Sequence, residues 1–203
     1  VEFHIKGQTF RPDIILGDNT LLVIAVGLFI ITAVISLKHR HPQLRWLRIG
    51  VWAIFYAYFV MVLSFTVFPI GIFTHSGQTF AQVGYGHVPY WEVHPFRILK
   101  YVTTNEVAAY NIIGNSVMLV PLVSMFALLF KRFVKLPWML GLALLASLLV
   151  ESTQFVLTYF YMNARTFDLM DITSNTLGGF ILGAGLYHVI RWIFPKTVQK
   201  LQK

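Results

Sequence analysis

Residues 136–161, LPWMLGLALLASLLVESTQFVLTYFY, decide the class of fold. The run holds no Lys or Arg and a single acidic residue, Glu151. At ~1.5 Å of helical rise per residue it is long enough to cross the roughly 30 Å hydrocarbon core of a bilayer. A carboxylate at that depth costs roughly 2.5–3.5 kcal/mol on insertion scales, so Glu151 is expected to have a function or a partner. On a helix, Ser147, Glu151, Gln154 and Thr158 are spaced four, three and four, which is one face. That polar stripe should look into a bundle, because facing lipid would be costly.

Working outward, four more apolar runs accompany this one. Residues 21–37 read LLVIAVGLFIITAVISL without a charge, and 50–73, 105–130 and 172–194 are also mostly apolar, with Glu106 and Arg191 as their only charges. The chain of 203 residues is 57% hydrophobic and only 12% charged, which points to a polytopic membrane protein. The predicted fold is all-α: a helical membrane bundle of about five transmembrane helices over residues 21–194. Before it lies a polar N-terminal segment, 1–20, without clear periodicity, and after it a basic tail, 195–203. No signal-peptide cleavage pattern is expected near the start. The length leaves no room for a separate soluble enzyme domain. The absence of cysteine excludes disulfides and thiolate chemistry.

The formal net charge is +8, but the basic residues sit beside the apolar runs, so a nucleic-acid partner is not expected. Lys38, Arg40, Arg45 and Arg48 follow the first run, Lys131, Arg132 and Lys135 the third, and Arg191 and the tail lysines the last. The opposite side has fewer: Lys6, Arg11, Arg97, Lys100 and Arg165. The positive-inside rule therefore predicts an outside N-terminus and a cytoplasmic C-terminus. Every acidic residue except the intramembrane Glu151 then falls on the outer side.

Three helices should bring polar side chains to one outer depth. Asn111 and Asn115 are four apart on the third; Glu151 and Gln154 lie on the fourth; Asp171 and Asn175 are four apart at the start of the fifth. Arg165 and Asp168 occupy the loop above them. Each has a plainer reading. Asp171 suits the N-cap of the fifth helix. Asp168 suits a loop ion pair with Arg165, worth ~0–1 kcal/mol. The amides suit interhelical hydrogen bonds of ~0.6 kcal/mol each. Glu151 stands apart, because a buried carboxylate must be protonated, paired or hydrated. Gly179 and Gly183 form a small-xxx-small pattern, for packing within the bundle or for a homodimer.

The connection 74–104 is rich in Gly, Pro and aromatic residues, so it reads as an interfacial loop or as a lid over the site. Thr103 and Glu106 have the spacing of a capping box, and Pro69 should close or kink the second helix. His75, His87 and His94 match no metal-ligand spacing, so neither a metal nor a cofactor is expected.

At these residues the chain resembles the VanZ-like family of membrane proteins. The resemblance rests on Asn111-Ile-Ile-Gly-Asn115 with Pro121, Glu151-Ser-Thr-Gln154, Arg165-Thr-Phe-Asp168-Leu-Met-Asp171 and Asn175-Thr-Leu-Gly178-Gly179. It extends weakly to Phe68-Pro69 and Pro95-Phe96-Arg97 and covers about 56–188. One departure is Glu92-Val93-His94, where the family often has an asparagine. The resemblance implies a multi-pass protein of the bacterial cytoplasmic membrane, linked to resistance against teicoplanin, a glycopeptide antibiotic. Two readings of the pocket follow. It binds membrane lipids, a lipid-linked envelope precursor or a lipoglycopeptide, with Asn111, Asn115, Gln154, Arg165 and Asn175 as binding residues. Alternatively it is an enzyme acting on a lipid or envelope glycan, with Glu151 as acid or base and Asp168 or Asp171 as its partner. A transporter is disfavoured, because no polar path continues to the cytoplasmic side.

Overall fold

A computed structural model describes residues 2–38, 42–73, 81, 91–92 and 106–202. Most of the expected lid at 74–104, Thr103 of the capping box, the five histidines His39, His41, His75, His87 and His94, and the Pro95-Phe96-Arg97 match lie outside the described residues.

Inside a membrane a backbone has no water to bond to, so each spanning segment must satisfy its own N–H and C=O groups as a helix. The long helices are α1 (Asp18–Leu37), α2 (Pro42–Thr66), α3 (Glu106–Met118) with α4 (Val120–Leu129), α5 (Leu136–Tyr159) and α6 (Leu169–Ile193). A short α7 (Pro195–Leu201) follows α6. Four segments are long and apolar enough to cross a membrane: α1, α2, α3 with α4, and α5; α6 with α7, bent 114° from each other, raises the number to five. Only 17% of the most apolar window of α1 or of α2 is buried, and Leu22, Ile30, Ile54, Leu149 and Ile181 point outward. Apolar faces on that scale suit lipid. The expected all-α membrane bundle is the observed one.

Proline sets several helix boundaries. Pro137 lies in the first turn of α5, where its missing N–H costs nothing. Pro121 cannot donate to the Val117 carbonyl, and the expected continuous helix over 105–130 breaks at Leu119 into α3 and α4. Pro69 likewise has no N–H for the Phe65 carbonyl, and α2 ends at Thr66, before the apolar run does.

Beyond that end the chain becomes strand β4 (Ile70–Ile72), which pairs antiparallel with β3 (Ile14–Leu16) from the N-terminal segment. The segment expected to lack regular structure also forms a hairpin of β1 (Phe3–Ile5) and β2 (Gln8–Phe10). Its turn is Lys6-Gly7, both at positive φ (48° and 79°), which suits a two-residue hairpin. Phe10, 1% exposed, packs on Phe3, Phe73 and Ala164, so the hairpin covers the loop between α5 and α6. A parallel pair of β5 (Trp91–Glu92) and β6 (Phe167–Asp168) borders the same loop.

The core lies between α4, α5, α6 and α7, around Val123, Ala127, Met139, Ala143, Ala184, Tyr187 and Val198. The basic tail is thus a packed helix: Gln202 Nε2 donates to the Ala127 carbonyl (2.6 Å), and Arg48 Nη1 to that of Leu201 (2.7 Å). Helix α6 crosses α3 and α4 at close range through its glycines. A Cβ on Gly178 would stand 2.2 Å from the Ser116 carbonyl oxygen; on Gly179, 2.7 Å from Leu119 Cβ; on Gly183, 2.8 Å from Val123 Cβ. Gly179 and Gly183 are buried in this intrachain contact, which is the first of the two uses expected of them, packing within the bundle.

Gly178→Ala should lower unfolding stability by about 1–3 kcal/mol, since the obstacle is backbone and the helices must separate. Gly185→Ala, which meets nothing within 4 Å, should not. Thermal unfolding in detergent measures both. Equal midpoints for the two variants would contradict the packing.

Candidate functional site

Helix α5 turns one continuous stripe into the protein: Met139, Ala143, Ser147, Glu151, Gln154 and Thr158 are its buried residues. The lower half of the stripe is core, and the upper half is polar. The upper half meets the end of α2, where the last carbonyls lack helical partners. Gln154 Nε2 donates to the Thr66 carbonyl at 2.8 Å. Arg165 Nη2 donates to that of Phe65 at 2.9 Å, and Asn163 Nδ2 to that of Val67 at 2.8 Å. Thr158 Oγ1 holds the loop itself, donating to the Arg165 carbonyl (3.1 Å) and facing its N–H (3.2 Å).

Below this tie lies a cavity of about 450 Å³ between α2, α3, α5 and α6. Asn111, Asn115, Glu151, Gln154, Arg165, Asp171 and Asn175 all line it, with Tyr58, Thr66 and Tyr110. The structure thus brings together seven of the eight residues singled out in the sequence. Asp168 is not in the cavity wall. It is the N-cap of α6, its carboxylate accepting the Met170 N–H at 2.7 Å. The N-cap role expected of Asp171 belongs to Asp168, because α6 starts three residues earlier than expected. Asp171 instead accepts from Asn115 Nδ2, joining α6 to α3. The expected pairing of Asp168 with Arg165 gives way to the Phe65 contact.

Glu151 is 2% exposed, and its Oε2 accepts the backbone N–H of Asp168 at 3.2 Å. That bond alone would give the carboxylate a structural role, holding the start of α6 against α5. The Arg165 charge acts on Glu151 and Asp171 together, so the cavity contains two carboxylates and one guanidinium. Burial raises the Asp168 carboxyl from its ordinary value, against the Met170 N–H, which favours its charge.

Asn175 differs from its neighbours. It is 1% exposed, lines the cavity, and its Oδ1 has no hydrogen-bond partner. A buried acceptor left unpaired costs ~1–3 kcal/mol. Interhelical bonding, the plain reading of the amides, accounts for Asn115 and Gln154 but not for Asn175 Oδ1. Sequence reading missed Asn163, since an amide in a loop carries no periodic signal. It also passed over Tyr58, whose hydroxyl donates to the Met118 carbonyl at the break between α3 and α4. Among the described residues no three His, Asp or Glu are grouped as a metal ion would need.

The protein-family model VanZ/LLP1 matches residues 53–191, from α2 to the end of α6, and so includes the whole cavity wall. No curated protein and no solved structure matches the chain.

Gln154→Leu should strand the Thr66 carbonyl and lower stability by about 1–3 kcal/mol. Gln154→Glu, which keeps an acceptor and loses the donor, should fail to rescue it. Chemical denaturation in detergent reads the difference. A Glu variant as stable as the parent would mean that the donor is not what holds α2.

Proposed function

The chain belongs to the VanZ/LLP1 family, and from that membership we propose that it lowers susceptibility to glycopeptide antibiotics of the teicoplanin type. It acts at the outer face of the bacterial cytoplasmic membrane, by holding a lipid-linked or acylated envelope molecule in the polar cavity. The observation that carries the binding reading is the unpartnered Oδ1 of Asn175, buried beside Glu151, Asp171 and the Arg165 guanidinium. A ligand with hydrogen-bond donors would satisfy that oxygen. Any anionic group on it would suit Arg165, whose planar fork has donors to spare beyond the Phe65 contact. The distribution of Lys and Arg supports the outward orientation of this end.

The second reading, an enzyme on a lipid or envelope glycan, draws on Glu151 and Asp171 lining one cavity. Asp171 suits the acid–base partner better than Asp168, which is engaged as the α6 N-cap. General acid–base groups contribute ~10²–10⁴-fold to rate.

Isosteric neutral variants separate the readings. In a susceptible bacterium expressing the chain, Glu151→Gln, Asp171→Asn and Asp168→Asn are compared by teicoplanin inhibitory concentration, at matched membrane levels. Binding predicts partial protection with Glu151→Gln and Asp171→Asn, which line the cavity, and retention with Asp168→Asn, which does not. Acid–base catalysis predicts loss with Glu151→Gln and Asp171→Asn, and retention with Asp168→Asn. Full protection by all three would mean that the cavity is not the site.

A further inference from the structure

Beside the polar cavity lies a second one, of about 460 Å³, whose wall is almost wholly hydrocarbon. Phe55, Phe59, Leu122, Leu142, Leu145 and Leu149 are typical of it. It is a groove open to the outer surface where the bundle leaves a gap, and Leu145 and Leu149 of its wall are also outward-facing. Helix α2 packs along α1 and meets the remainder more through α4 and α7 than through α5, so α2 and α5 stand apart at mid-span. The two cavities share Tyr58, Val62 and Val150 as a common wall. Tyr58 is pinned there by its bond to the Met118 carbonyl. The arrangement is a polar chamber and an apolar chamber side by side, each within the volume range of small-molecule sites.

The polar chamber holds an acceptor, the Asn175 oxygen, that nothing in the protein satisfies. Glu151, Asp171 and the Asn175 oxygen face it against the single cation Arg165, and one Arg165 donor is already engaged with Phe65. A head group that satisfies the Asn175 oxygen brings an N–H or O–H group. The apolar chamber lies among helices that span the membrane, where the available occupant is a lipid chain.

We infer that the ligand is a single-chain amphiphile of the membrane. Its donor-bearing head, an ammonium or hydroxyl, sits against Asn175, Glu151 and Asp171, and its hydrocarbon chain lies past Tyr58 between α2, α4 and α5. This rests on the binding reading above and narrows it to one class of ligand, which enters sideways from the bilayer.

The test uses the full chain in phosphatidylcholine nanodiscs. The probe is lysophosphatidylethanolamine with a diazirine at the end of its acyl chain, and adducts are mapped by mass spectrometry. Adducts are expected on residues 142–150 of α5, with at least fivefold less labelling when unlabelled lysophosphatidylethanolamine competes. Ala146→Phe, which fills the apolar chamber, and Asn175→Leu, which removes the acceptor, should each reduce labelling to a similar degree. Should one variant fail to fold, the other and the competition on the parent chain still decide. A diazirine methyl ester with the same chain and no donor should label α5 several-fold less. Equal labelling by the ester, or labelling that neither competition nor either variant reduces, would overturn the inference and leave bulk lipid as the occupant. Antibiotic protection lowered in part by Glu151→Gln but untouched by Ala146→Phe would likewise sink the two-chamber ligand while the binding reading stands. Protection indifferent to Glu151→Gln, Asp171→Asn and Asp168→Asn alike would remove both.

Discussion

Helix α2 ends inside the protein, and three of its last carbonyl groups have to find donors elsewhere. The Phe65 carbonyl would need an N–H from residue 69, which is proline. The N–H of Gly71, which the Val67 carbonyl would need, is taken by the Met162 carbonyl at 2.9 Å. In an apolar bundle an unpaired carbonyl is costly, so Arg165, Gln154 and Asn163 are drawn onto Phe65, Thr66 and Val67. These bonds fasten the loop between α5 and α6 to the end of α2. The N-terminal hairpin then lies over that loop through Phe10 and Ala164.

Much of the site follows from this one requirement. The side chains that cap α2 also roof the cavity, so Gln154 and Arg165 have structural partners whatever the cavity holds. Glu151 is bound in the same way, through the Asp168 N–H, and Asp171 through Asn115. Most of the constellation is thus accounted for by packing a polar end onto an apolar bundle. The Asn175 oxygen is not, because its helix brings it into the cavity without a partner. The functional reading rests on that oxygen more than on the carboxylates.

Close approach of α6 makes the arrangement possible. With no Cβ on Gly178, Gly179 and Gly183, α6 lies nearly against the backbone of α3 and α4. That contact sets Asn175 and Asp171 level with Asn115. The same contact buries the small-xxx-small pattern within the bundle.

The sequence by itself determined the class of fold, since apolar runs of bilayer length must become helices to satisfy their backbones. It determined the inward stripe of α5 as well, because Ser147, Glu151, Gln154 and Thr158 share one face by spacing alone. The depth shared by Asn111, Asn115, Glu151, Asp171 and Asn175 was also legible, since helical rise and chain direction fix depth. Hydrogen-bond partners were not legible. Whether Asp168 or Asp171 caps α6 depends on where α6 starts, and whether Arg165 turns to Asp168 or to Phe65 depends on where α2 stops, about a hundred residues earlier in the chain. The short strands of the N-terminal segment were invisible too, because strands of three residues are too brief to show a period, and β3 exists only by pairing with β4. The apolar chamber was equally hidden: it is the space left where α2 and α5 fail to meet, and only tertiary packing decides which helices touch.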